Sequence, residues 1–309
     1  MSLPKIFAEH GFRCRKRWGQ NFLVDENILR KITAAARLSP ADIVVEIGAG
    51  TGALTRALAQ NAGLVVAVEI DRRLMPVLAE TLKDFDNVEL VFRDALTVDF
   101  DALVKEKAAG RAGSPAAVPA YKVVANIPYS ITTPLILHLL RGKFHFSFLL
   151  LMVQQEVARR LVAGPKDGDY GAFSIIVQYY TEPKILFRVP RTVFYPRPEV
   201  DSAVVCLERR IKPAVEVPDE DLFFSLVRSA FGQRRKTILN ALAGGPATAA
   251  ALPGLARGLS RDAWREILQA AGVDPGRRGE SLGIEEFAAL ARQYAQSIAE
   301  LVPNQSGKK

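Results

Sequence analysis

Cysteine is nearly absent: Cys14 and Cys206 are the only two in 309 residues, so no disulfide framework can be built. Histidine is almost as scarce, and its three copies stand in no metal-ligand spacing with each other or with the thiols. A structural zinc site is therefore excluded. Long apolar runs are also missing. The longest, Phe146–Val153, already contains Ser147 and falls far short of the ~20 residues that span a bilayer, so no membrane contact is expected. Charges from Lys5 through Glu9 to Arg17 are followed by no apolar segment, which argues against a secretory signal. A cytoplasmic protein is expected, and nothing in the sequence asks for an obligate oligomer, so a monomer is expected too. With 49% hydrophobic and 24% charged residues, 22 Gly and 18 Pro, the chain is an ordinary globular one, neither collagen-like nor coiled-coil nor wholly disordered.

Acidic residues are outnumbered, 33 against 41 basic, which leaves a net charge of +8. The excess is clustered. Arg13, Arg15, Lys16 and Arg17 precede Trp18, and Arg228, Arg234, Arg235 and Lys236 surround Phe231 with no acidic residue from 228 to 236. Basic residues interleaved with an aromatic fit phosphate contacts combined with base stacking. Taken alone, each cluster reads equally well as a solvated helix face.

The length favours two domains. From residue 43 short β-branched runs alternate with helical stretches. Ile43–Ile47, Leu64–Ile70, Val88–Phe92, Lys122–Asn126 and Phe146–Val153 read as strands buried on both faces. Ala53–Gln60, Arg72–Lys83, Thr97–Lys107, Thr132–Leu140 and Gln154–Val162 read as the crossover helices. This alternation predicts a Rossmann-like, doubly wound, mostly parallel α/β sheet. A helix at Ala172–Tyr180 and strands near Lys184–Val189 and Ala203–Glu208 are expected to complete it with an antiparallel pair. Lys107–Ala120 reads as a flexible surface insertion. Prolines at 213 and 218 mark a boundary, so the domains are expected at 1–210 and 211–302, with a disordered tail at 303–309. In the second, apolar residues recur at helical spacing behind Asp219, a candidate cap, and again at Ile238–Leu242, Trp264–Ala271 and Ile284–Tyr294, which predicts a small all-helical domain. Ala243–Gly258 is a low-complexity connection.

The first strand runs into Glu46-Ile47-Gly48-Ala49-Gly50-Thr51-Gly52 directly before a helix. Glycines there permit a tight turn and let a cofactor approach without meeting a Cβ. Glu69, at the end of the second strand, is placed to accept hydrogen bonds from two ribose hydroxyls. A nucleoside cofactor is expected, although Gly48, Gly50 and Ala53 also satisfy the dinucleotide pattern and leave NAD open. Asp94, after the third strand, can accept from an adenine amine or simply cap a turn. Asn126-Ile127-Pro128-Tyr129 ends the fourth strand, at the edge where such sheets bind ligands. An exocyclic adenine amine is a poor nucleophile because its lone pair is conjugated into the ring. The Asn126 side-chain oxygen and a main-chain carbonyl of the Ile127-Pro128 turn can hold both amine hydrogens and draw the nitrogen toward tetrahedral geometry, while Tyr129 offers a stacking face.

These motifs, together with Gly19-Gln20-Asn21-Phe22-Leu23-Val24-Asp25, Leu161-Val162-Ala163-Gly164-Pro165, the segment Phe194-Tyr195-Pro196-Arg197-Pro198-Glu199-Val200-Asp201-Ser202-Ala203-Val204 and Ala230-Phe231-Gly232-Gln233-Arg234-Arg235-Lys236-Thr237, occur in an order that resembles the ribosomal RNA adenine dimethyltransferase family almost end to end. Within it, the resemblance is strongest to enzymes of the bacterial small subunit. It implies a methyltransferase using S-adenosyl-L-methionine, with Asn21, Leu23, Gly48, Glu69, Asp94 and Asn126 at the cofactor. It further implies Asn126, Tyr129 and Phe194 at the target base, Phe194 stacking opposite Tyr129. Arg15, Lys16, Arg17, Arg234, Arg235 and Lys236 are the expected RNA contacts, the last three at the start of a short helix. The implied reaction dimethylates N6 of two adjacent adenosines in the 3'-terminal hairpin of small-subunit (16S) rRNA, on a partly assembled 30S particle. One departure is Gly283, where the family often has a capping serine; glycine is itself an acceptable N-cap.

Overall fold

A computed structural model defines Phe7, Glu9, Gly11, Phe12 and residues 19–112, 117–244 and 259–301. The chain divides into two compact units, Met1–Arg159 with Glu182–Arg209, and Arg160–Thr181 with Arg210–Lys309. The division differs from the expected one in assigning 160–181 to the second unit.

Through residue 209 the elements are β1 (Phe22–Leu23), α1 (Glu26–Ala36), β2 (Ile43–Ile47), α2 (Ala53–Ala59), β3 (Leu64–Glu69), α3 (Met75–Thr81), β4 (Val88–Phe92), α4 (Phe100–Ala112), β5 (Tyr121–Asn126), α5 (Thr132–Arg141), β6 (Phe146–Gln154), α6 (Gln155–Val162), α7 (Ala172–Tyr180), β7 (Thr181–Val189), β8 (Phe194–Tyr195) and β9 (Ser202–Arg209). The first unit holds a seven-stranded sheet in the order β4-β3-β2-β5-β6-β9-β7. Strands β4 through β6 in that order are parallel, and β9 runs antiparallel to β6. The central strands are apolar because helices cover both faces: Val44, Val45, Val65, Val66, Val123 and Val124 are fully buried. The expected strands and crossover helices are all present, and the fold is α/β.

Four local departures have physical causes. Asp71 caps a 3₁₀ turn at Arg72–Leu74, and Pro76, lacking an N–H, sits in the first turn of α3, so the expected single helix is two elements. The α4 helix continues to Ala112, so the part of the expected flexible insertion at 107–112 is helical, while 113–116 lie outside the described residues. A two-stranded sheet pairs Phe22 with Tyr195 and Leu23 with Phe194. Strands this short carry no readable alternation, and only tertiary pairing makes them. Finally, α1 was not expected, although Asp25 caps it by accepting from the Asn27 and Ile28 N–H groups.

In the second unit α8 (Glu220–Gly232), α9 (Ile238–Gly244), α10 (Arg261–Ala270) and α11 (Ile284–Leu301) confirm the expected helical region. Asp219 accepts from Leu222 N at 2.6 Å, and Ser260 caps α10 through Ala263 N at 3.1 Å. Its core is aromatic: Trp264 stacks on Tyr294 at 5.2 Å, and Tyr179 packs on both Phe223 and Phe224. The 245–258 connection and the tail lie outside the described residues.

Candidate active site

The glycine loop follows from the end of β2. Gly48 and Gly50 adopt φ of 85° and 56°, where a side chain is strained, and the Gly48 N–H donates to Val68 O at 2.8 Å, pinning the loop on β3. A Cβ at Gly50 would come within 3.1 Å of the Phe22 ring. Glu69, the last residue of β3, is buried and preoriented by main chain alone. Its Oε1 accepts from Ile70 N and Asp71 N, and its Oε2 from Gly50 N, each at 2.9 Å. A carboxylate has about four lone-pair positions. Three are used, so Oε2 keeps one for an outside hydroxyl. Burial outweighs the three donors and holds the Glu69 carboxyl above its ordinary range.

Across the loop, Asn126 ends β5. Its Nδ2 donates to Asn21 O at 3.1 Å, which leaves Oδ1 as the atom able to accept. Of the two carbonyls in the following turn, that of Pro128 already accepts from Ile131 N at 3.1 Å and Thr132 Oγ1 at 3.3 Å. That leaves the Ile127 carbonyl as the candidate second acceptor. Tyr129 is half-buried, and its hydroxyl shares a 2.7 Å hydrogen bond with Ser202 Oγ, which fixes the ring; burial raises its pKa. Asp94 is exposed, and its Oδ1 accepts from Leu96 N at 3.0 Å. The turn-capping role and a place at the cavity are thus compatible in one side chain.

Asn21, Gly48, Glu69, Asp94, Asn126 and Tyr129 line one solvent-open cavity. Two expected members do not. Leu23 and Phe194 face each other across the β1–β8 pair and are buried at 6% and 4% exposure in the apolar cluster. The alternation of a strand turns Phe194 inward and its neighbour Tyr195, 42% exposed, outward. Arg15, Lys16 and Arg17 lie outside the described residues. Arg234, Arg235 and Lys236 occupy the turn between α8 and α9 rather than the start of a helix. The Arg234 guanidinium donates to Tyr170 O at 2.7 Å, so of the three only Arg235 and Lys236 remain as exposed cations without such a bond among the described residues. Among the described residues no cluster could hold a metal ion, and no helix is long and apolar enough to cross a membrane.

Sequence reasoning assigned no role to Glu46. A lone acid inside the apolar run Ile43–Ile47 was the available signal. It is fully buried, with the Thr55 hydroxyl beside it as a weak donor. Burial outweighs the hydrogen bond from Thr55 and, reinforced by the charge of Glu69, pushes its pKa from 4.5 to about 8. The folded chain thus holds a proton there that the unfolded chain releases above pH 4.5. This contribution to stability is complete below that value and is lost as pH rises through about 8, with a slope approaching ~1.4 kcal/mol per pH unit between the two. Urea unfolding of Glu46→Gln, which cannot ionise, is expected to show a stability gain over wild type that grows from pH 5 to pH 9. Parallel pH profiles would show that Glu46 is already ionised in the folded protein.

Comparisons with known proteins show the family to which the chain belongs. A sequence profile described as "Ribosomal RNA adenine dimethylase" matches residues 11–255. The chain is 55% identical over 293 residues to the "Ribosomal RNA small subunit methyltransferase A" of Pelotomaculum thermopropionicum, covering 94% of each. It is 56% identical over 288 residues to the protein of that name from Moorella thermoacetica, covering 93% of this chain and 94% of the relative. Among solved structures, a dimethyladenosine transferase from Plasmodium falciparum matches with a TM-score of 0.71 at 26% identity, over 89% of this chain and 98% of that one. The 23S rRNA methyltransferase ErmE matches at 0.63 and 29%, over 89% and 100%. With a family profile matching most of the chain and relatives matching nearly end to end, the chain belongs to the ribosomal RNA adenine dimethylase family.

Proposed function

We propose that this chain transfers methyl groups from S-adenosylmethionine to N6 of two adjacent adenosines in the 3'-terminal hairpin of small-subunit rRNA, during assembly of the 30S particle and as a monomer in the cytoplasm. The observation that carries the reading is that the Asn126–Tyr129 turn and the Glu69 carboxylate line the same cavity. The relatives above 50% identity are named for the small subunit, which favours that substrate over the large-subunit RNA of ErmE. An NAD reading leaves the Asn126–Tyr129 turn with nothing to do.

The residues fit the cofactor. Gly48 lines the cavity at a φ of 85° where a side chain is strained, Glu69 keeps an acceptor position for ribose, and Asp94 offers an acceptor for the adenine amine. S-adenosylmethionine, when bound, supplies an electrophilic methyl group. The chain's own part is to make the target amine nucleophilic. Asn126 Oδ1 and the Ile127 carbonyl accept its two hydrogens and favour the pyramidal nitrogen, whose lone pair leaves the ring. Tyr129, fixed by Ser202, gives the extruded base a face to stack on. No strong base is needed, because the nitrogen becomes acidic only after the new bond forms and then loses its proton to solvent. Positioning and preorganised acceptors therefore carry most of the rate.

Two outcomes follow. Asn126→Ala is expected to lower methyl transfer to assembling small subunits at least about a hundredfold while RNA affinity stays near wild type, since the lost acceptor acts mainly as the nitrogen changes geometry. Near-normal rates in that variant would remove Asn126 from the chemistry. For RNA, neutralising Arg235 and Lys236 together is expected to weaken particle binding and flatten its salt dependence by roughly 0.7 log unit per lost phosphate contact, leaving cofactor affinity unchanged. Identical salt slopes would make the pair a solvated surface.

A further inference from the structure

We propose that Asp71 is a positioning residue that latches the segment 19–22 against the cofactor cavity and, through that segment, sets the amide of Asn126. The proposal rests on the cofactor reading above. Asp71 lies two residues beyond Glu69 and is 1% exposed, an unusual place for a carboxylate. One of its oxygens serves the local turn. Oδ1 accepts from Arg73 N at 3.1 Å and Arg73 Nε at 2.9 Å, capping the turn before α3. Oδ2 is shared: it closes the ion pair with Arg73 Nη2 and also reaches across the chain. Oδ2 accepts from Gln20 Nε2 at 3.0 Å, and Gln20 lines the cavity. Burial by itself would raise the Asp71 pKa, but the bonds from Arg73 and Gln20 outweigh it and keep the carboxyl below its ordinary range, so the acceptor is charged.

The residue after Gln20 completes the link. Asn21 O is the group that receives Asn126 Nδ2 at 3.1 Å, so two consecutive residues tie the segment to the end of β3 and to the end of β5. Phe22 then closes over Gly50, with Phe7 packed edge-on against its ring at 5.2 Å. The Arg73 guanidinium that holds Asp71 also lies 5.1 Å from the Phe12 ring. Arg73 engages both oxygens, and Gln20 Nε2 adds a further donor to Oδ2 from a cavity-lining residue: a hydrogen bond to a buried charge is worth more than one between neutral groups, so this extra bond is the latch. Releasing it frees the wall of the cavity and the carbonyl that holds Asn126 in its accepting orientation.

A double-mutant cycle tests this. Gln20→Ala removes the donor and leaves the turn cap intact. Asp71→Ser keeps a capping hydroxyl but is too short to reach Gln20; it also removes the ion pair with Arg73, so only the part of its loss that depends on Gln20 reports the latch. Each is expected to bind S-adenosylhomocysteine about tenfold more weakly by calorimetry, and the double variant no more than about twofold more weakly than the weaker single one. Gln20→Ala should retain the wild-type thermal midpoint yet lose several-fold in kcat at saturating cofactor, because Asn126 is no longer held. Additive losses, or unchanged affinity in either single variant, would overturn the latch, and an unchanged kcat would overturn its link to Asn126. Failure of the wild-type chain to bind S-adenosylhomocysteine would instead overturn the cofactor reading, and the latch with it.

Discussion

The position of β2 between β3 and β5 is the constraint on which the site depends. The chain leaves β2, builds β3 and β4 on one side, then crosses to β5 on the other. Parallel pairing in register, Val45 with Val66 and with Val123, aligns the carboxyl ends of all three strands. The chain's reversal of direction across the sheet opens a crevice there. The glycine loop, Glu69 and Asn126 share that crevice because each is the residue, or the turn, that ends one of these strands. The buried valines hold the strands together; the polar residues take their place only where the apolar runs stop.

The polar groups at this edge are set by backbone more than by side-chain pairing. Glu69 is held by three N–H donors from the glycine loop and from its own turn. Asn126 is oriented by the carbonyl of Asn21, and Tyr129 by the hydroxyl of Ser202. Such groups need little reorganisation when charge or geometry changes in a bound substrate, which is the basis of electrostatic preorganisation. Glu46 is the exception. Fully buried with only a weak donor in Thr55, it carries a destabilising ionisation in an otherwise apolar strand.

Much of this was readable in the sequence. Strands buried on both faces leave continuous apolar runs, and strand-end motifs announce themselves by breaking those runs, so the sheet and the positions of Gly48, Glu69, Asp94 and Asn126 could be anticipated. The β1–β8 pair could not be, because two residues carry no period. That gap accounts for Leu23 and Phe194, whose burial is a product of their mutual pairing across more than 170 positions. The Arg234–Lys236 cluster was visible as charge, but the diversion of Arg234 to the Tyr170 carbonyl is a tertiary contact. Asp71 and Gln20 were likewise visible only as residues near or within motifs, and their meeting is a consequence of the fold.

The most direct test is the product itself. Purified protein should be incubated with S-adenosylmethionine and small subunits isolated from cells lacking the modification, and the rRNA digested and mapped by mass spectrometry. The account predicts N6,N6-dimethyladenosine at two adjacent positions of the 3'-terminal hairpin. Methylation confined to large-subunit RNA, or to an atom other than adenine N6, would contradict it.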